Sequence, residues 1–223
     1  MGVIKCTTDN FVDEILKADA LRDWTRLREL IWEAEDMQFS ADQSKKLGPR
    51  LLNIALLHRD DMCSHCRSII LSAIRTGGSM LRPCDAHLLL PLLESGHPIS
   101  TSLEAVKMVG RIFEAQPPTD VDQYMELTFD ICYIVELLLD RYVIENSQSA
   151  AMALLAIYVL AAMASSKVLD IIGIVRGLGV SWFAKQVRHD LCSLQIFWNK
   201  QYVPVESGPY KLLDRAIREL SND

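Results

Sequence analysis

Four stretches of this chain repeat one pattern, a leucine-rich helix, a short polar break and a second apolar helix. The leucine-rich runs are Leu51–Leu57, Leu88–Leu93, Ile134–Leu139 and Ile171–Val175. A single pair of this kind cannot bury its apolar faces, so the pairs must stack on one another as a solenoid. The register can be read twice. Arg67, Glu104, Ala151 and Arg188, taken as equivalent points on the second helices, lie 37, 47 and 37 residues apart. Leu57, Leu93, Leu139 and Val175, closing the leucine-rich runs, lie 36, 46 and 36 apart. The long middle step gives the third unit an extra turn or two.

Composition agrees with an all-α chain. Half of the 223 residues are hydrophobic but only 7% aromatic, so the core is mainly aliphatic. Glycine and proline fall between the periodic runs, which favours long helices. With 29 acidic and 23 basic residues the net charge is −6, and no dense Lys/Arg cluster offers a phosphate backbone a face, which disfavours nucleic acid as partner. The start of the chain lacks the apolar run of a secretory signal. Ala150–Ala164 is an unbroken apolar stretch, too short for the ~20 residues of a bilayer span and rich in alanine, as suits a buried central helix. Without a signal, the six cysteines read as reduced thiols in a cytoplasmic protein.

Local signals place the helices. Asp9 or Asn10 caps a first helix carrying Phe11, Ile15 and Leu16, and a second runs from about Asp19 to Met37. Ser40 and Gln43 form a capping box, and Gly48-Pro49 restarts the following helix at Pro49. Thr76-Gly77-Gly78-Ser79 reads as a helix stop and turn. Pro83 opens the next helix and Gly96-His97-Pro98 closes it. Thr101 and Glu104 make a second capping box, and Gln116-Pro117-Pro118 ends that helix. The third unit starts at Thr119 or Asp120, reaches about Tyr142 and breaks at Asn146-Ser147. The fourth runs from Ser166 to Gly177, turns at Gly179 and continues from Trp182 to Asn199. Gly208-Pro209 starts a last helix ending near Leu220.

Leu89-Leu90-Pro91-Leu92-Leu93-Glu94-Ser95-Gly96-His97, followed by Ser102-Leu103-Glu104-Ala105, resembles an armadillo repeat. Asp61 with Arg67, and Val187-Arg188, are similar to HEAT repeats. The resemblance covers about residues 46–200. It implies a right-handed α–α superhelix of about four helix pairs, with capping helices at 1–45 and 201–223, forming one continuous domain. It further implies a non-catalytic interaction or scaffolding role, with a protein partner on the face made by the second helices. Arg111 stands where peptide-binding armadillo repeats carry an asparagine, which argues against an extended peptide held by an asparagine ladder.

On that face Glu104, Lys107, Arg111 and Glu114 form one stripe at three- and four-residue spacing. Arg188, Gln195 and Asn199 make a looser counterpart, and Trp182 and Trp198 are candidate anchors, because tryptophan is enriched where binding energy concentrates. The alternative for each is a solvated stripe and tryptophans in the core.

The sharpest chemical pattern is Cys63-x2-Cys66, 17 residues, then Cys84-x2-His87, the spacing of a zinc site. Consecutive helices of a solenoid run antiparallel, however, so these two helix starts lie at opposite ends of a layer. A helix of ~14 residues spans about 21 Å, against the 2.3 Å or so that zinc allows each ligand. No metal or cofactor is therefore expected. Cys63 and Cys66 as a thiol sensor is a further alternative. An enzyme on a helical-repeat scaffold, of the nucleic-acid repair glycosylase type, is another, and it requires a basic groove with an isolated carboxylate. Asp130, Glu136 and Asp170 could serve as acid/base groups, or simply sit at the exposed edges of helices.

Overall fold

The computed structural model describes residues 8–37, 39–57, 64–93, 98–115, 125–140 and 146–221, and every regular element among them is helical. In chain order these are α1 (Thr8–Ala20), α2 (Trp24–Glu35), α3 (Ala41–Leu57), α4 (Ser64–Ser79), a 3₁₀ helix (Pro83–Leu92), α5 (Ile99–Ala115), α6 (Met125–Asp140), α7 (Ser147–Ala162), α8 (Lys167–Gly177), α9 (Ser181–Lys200) and α10 (Gly208–Glu219). The chain divides into two compact units, Met1–Met108 and Val109–Asp223. The boundary falls within α5.

In the first unit, α1 packs on α2 and α3 on α4, while α1 also packs on α3, α2 on α4, and α3 on the 3₁₀ helix. First helices thus lie beside first helices and second beside second. Residues 8–35 form a helix pair in contact with the next one. Its apolar face is Phe11, Ile15 and Ala18 on α1 with Leu27, Leu30, Ile31 and Ala34 on α2. The second helix begins later than Asp19. Arg22 adopts a left-handed φ of 53°, and Asp23 caps α2 by accepting from the Arg26 amide at 3.1 Å.

The Ser40–Gln43 capping box forms reciprocally, with Ser40 N donating to Gln43 Oε1 at 3.0 Å and Gln43 N to Ser40 Oγ at 3.3 Å. The restart expected at Pro49 does not occur, because α3 runs through Gly48-Pro49. Packing offsets the ~3 kcal/mol that an interior proline costs. Leu47, Leu51, Leu52, Ile54 and Ala55 are all buried, and Gly48 lies against α4. A Cβ on Gly48 would stand 3.1 Å from the Gly77 carbonyl, and one on Gly77 2.9 Å from the Gly48 carbonyl. Thr76-Gly77-Gly78-Ser79 is accordingly the last turn of α4, not a turn beyond its end. A Cβ on Gly78 would meet Met108 Cγ at 2.6 Å.

The segment opened by Pro83 is a ten-residue 3₁₀ helix. Its buried residues, Ala86, Leu89 and Leu92, recur every three positions, which is the period of that helix. The turn expected at Gly96-His97 lies outside the described residues. The Thr101–Glu104 capping box does not form, since α5 starts at Ile99. The Thr101 amide bonds Pro98 O at 2.8 Å, and Glu104 turns to Arg75 of α4 at 3.1 Å.

In the second unit α7 packs against α6, α8, α9 and α10, while α6 also contacts α8, and α9 contacts both α8 and α10. This is the central helix expected from the alanine-rich stretch. Ala153, Ala156, Ala161 and Ala162 are buried, and their small side chains let helices close in on several sides. Among the described residues no helix is long and apolar enough to cross a membrane. Asn146 caps α7 through the Gln148 amide at 3.1 Å, and Gly179 turns the chain into α9 at φ 65°. Ser207 caps α10 through the Tyr210 amide at 3.4 Å. The long helix expected to reach Tyr142 is described from Met125 to Asp140, and its expected caps Thr119 and Asp120 lie outside the described residues.

The glycine contacts give a paired prediction. Gly77→Val overpacks the α3–α4 contact and should lower the urea midpoint, at a cost of about 1–3 kcal/mol. Gly173, an exposed position in α8 with no neighbour within 4 Å of an added Cβ, should behave oppositely. Gly173→Ala should raise stability by about 0.5–1 kcal/mol.

Candidate functional site

The polar stripe of α5 is less open than its spacing implies. In the first unit Glu104 is buried, its carboxylate 3.1 Å from Arg75 Nε and 3.7 Å from Lys107 Nζ. It joins α5 to α4, and only Lys107 projects into solvent. In the second unit Arg111 is exposed, whereas Glu114 is half-buried and accepts a hydrogen bond from the Tyr158 hydroxyl at 2.9 Å. Both carboxylates therefore hold helices together. Burial, followed by the charge and hydrogen bond of Glu114, raises the Tyr158 phenol above its ordinary range.

The two tryptophans separate. Trp198 is fully enclosed, and its indole N–H has no partner among the described residues. It belongs to the core and offers no surface. Trp182 is half exposed and meets the Phe183 ring edge-on, with centroids 5.5 Å apart. Arg188 is exposed on α9. Asn199 accepts from Tyr210 Oη at 2.9 Å, so it ties α9 to α10.

Sequence reasoning missed a different face. Met125, Phe129 and Tyr133 are 53%, 52% and 61% exposed, and they repeat at i, i+4 and i+8 along α6, so they share one side of it. The opposite side, Leu127, Ile131, Val135 and Leu139, is core. A helix apolar on both sides reads from sequence as wholly buried. The usable signal was charge, since α6 carries Glu126, Asp130, Glu136 and Asp140 and no basic residue. Lys167 of α8 reaches towards it, its Nζ 6.0 Å from the Phe129 ring centroid and 3.3 Å from Asp170 Oδ2.

The three candidate acid/base groups are engaged or open to solvent. Glu136 accepts from Cys132 Sγ at 3.3 Å, Asp170 pairs with Lys167, and Asp130 is exposed. Burial first, then the hydrogen bond and charge of Glu136, push the Cys132 thiol up to about 11. Cys84 and His87 are exposed on the 3₁₀ helix, His87 Nδ1 lying 3.0 Å from the Cys84 carbonyl. Cys63 and the side chain of Cys66 lie outside the described residues, so the zinc and thiol-sensor patterns stay as the sequence leaves them.

The buried tyrosine and cysteine are each open to a direct check. Tyr158→Phe removes the bond to Glu114 and should cost about 0.5–1.5 kcal/mol in urea unfolding near neutral pH. Because the folded state holds the phenolic proton more tightly than the unfolded chain, the advantage of Tyr158 is intact below about pH 10 and shrinks as pH rises further. The difference between wild type and Tyr158→Phe should narrow in that window. Cys132, protonated throughout the neutral range, should react with iodoacetamide at pH 8 at least ~100-fold more slowly than a free thiol, as followed by peptide mapping. Among protein-family models, curated protein sequences and solved structures, none is significantly similar to this chain.

Proposed function

We propose that this protein is a non-catalytic interaction module of the armadillo/HEAT type, and that its partner docks on α6. The single observation behind the docking face is the exposed Met125–Phe129–Tyr133 stripe on a helix whose charges are all negative. Aromatic side chains in such a stripe supply large contact areas with little rotamer entropy to lose. The flanking carboxylates complement a basic partner. The proposed ligand is accordingly an amphipathic helix with an apolar stripe bordered by Lys and Arg. The solenoid reading draws support from the packing within each unit, where α1 lies on α3, α2 on α4, α6 on α8 and α7 on α9.

The second helices, first expected to carry the binding face, are the weaker choice. Their stripe is partly used up in the Arg75–Glu104 and Tyr158–Glu114 contacts, and Trp198 is core. The repair-glycosylase alternative needs a basic groove with an isolated carboxylate. Among the described residues, the lining of the basic cleft at the start of α9 holds cations and no carboxylate, a composition that suits binding better than that chemistry.

The test is affinity capture from cell extract with wild type and with Phe129→Ser/Tyr133→Ser, both at about 50 mM and about 500 mM salt. The outcome expected is a protein retained by wild type, weakened by high salt and lost from the variant, while the thermal midpoint of the variant stays unchanged. Affinity for that protein, once purified, should fall about 30-fold or more. Equal retention by both forms would reject the α6 face.

A further inference from the structure

At one end of the second unit, the last turn of α8, the first two turns of α9 and the end of α10 surround a cleft of about 460 Å³. Ser181, Ala184, Lys185 and Arg188 face it from α9 at i, i+3, i+4 and i+7, a single side of the helix. Arg176 enters from α8. Among the described residues the lining thus carries three cations and no Asp or Glu. Arg176 already interacts within the chain, so Lys185 and Arg188 are the decisive pair. Both are exposed, and among the described residues neither forms an ion pair.

The backbone adds to this field. Val180 stands at the cap position of α9, and its side chain makes no capping hydrogen bond. The Phe183 and Ala184 amides bond the Val180 carbonyl, while those of Ser181 and Trp182 have no backbone acceptor among the described residues. The N-terminus contributes roughly half a positive charge, and the C-terminal ends of α8 and α10 roughly half a negative charge each. These helix ends offset only part of the side-chain charge. Val175, Val180 and Leu220 give the same cleft apolar wall. A volume of this size suits a small molecule and not merely a bare ion.

We infer that this cleft binds a small phosphorylated molecule, its phosphate held by Lys185, Arg188 and the free amides that open α9, and its organic part against Val175 and Leu220. Arginine provides the planar fork that matches phosphate oxygens, and lysine a compact second charge. The site is independent of the α6 face and does not require it.

Three probes separate the sources of the phosphate. The full-length protein, labelled with ¹⁵N, would be titrated with inorganic phosphate, with phenyl phosphate and with a single-stranded oligonucleotide, while the amide shifts of 179–188 are followed. Saturable shifts in that segment are expected with phenyl phosphate, weaker ones with inorganic phosphate, and a loss of affinity as salt rises. Lys185→Gln and Arg188→Gln should each weaken phenyl phosphate about tenfold or more without moving the thermal midpoint. No saturable shift, shifts confined to other regions, unaltered affinity in both variants, or a response to the oligonucleotide alone would each overturn the assignment.

Discussion

Helices in this protein come together at backbone distance where a side chain has been reduced to hydrogen or methyl, and the packing in each unit depends on that closeness. In the first unit Gly48 and Gly77 bring the backbones of α3 and α4 together, leaving no room for a Cβ on Gly77 and only a tight fit for one on Gly48. In the second, α7 offers alanine to its neighbours and is buried along most of its length. Interiors are close-packed, so an added methyl group in such a place must displace something. Close approach also lets a helix keep going where local preference would stop it, as α3 does through Pro49.

Small residues at the contacts leave the larger and charged ones to the rim, and their uses differ. Some polar groups lock helices together, as Glu104 does on Arg75, Glu114 on Tyr158, and Arg26 on Glu14 at 2.9 Å. The Arg26–Glu14 pair is only half-buried, so its contribution to stability is small. Others gather on two surfaces of the second unit. The acidic face of α6 surrounds an exposed apolar stripe, and the start of α9 gathers positive charge around a cleft. The second unit therefore presents two surfaces of opposite sign, one apolar and acidic, one basic and concave. The ligands proposed for them differ accordingly, a basic helix and a small phosphate.

Much of the helix pattern was legible from residues alone. Local signals worked where the needed partner lay a few residues away, as with the capping box of Ser40 and Gln43, the break at Asn146 before α7, and Gly179 between α8 and α9. The box of Thr101 and Glu104 failed because α5 starts two residues earlier, at Ile99, which places Thr101 inside the helix and leaves Glu104 to pair with Arg75 of another helix. The 3₁₀ segment was hidden because Ala86, Leu89 and Leu92 lie in a run where nearly every residue is apolar, so no period stands out. The surface was harder still. Trp198 and Trp182 look alike in sequence, yet one is core and the other half exposed. Met125, Phe129 and Tyr133 likewise resemble their buried neighbours Leu127, Ile131 and Val135.

By itself, then, the sequence determined that this chain is helical, roughly where most helices begin and end, and that the alanine-rich stretch lies inside. These follow from spacing, caps and turn residues, whose energies are set within a few residues of chain. Only the tertiary structure decided that Gly48-Pro49 would be spanned, that Glu104 and Glu114 would tie helices together, and which apolar residues would remain outside. Each of those outcomes turns on what another segment brings within a few ångströms, and local periodicity carries no information about that.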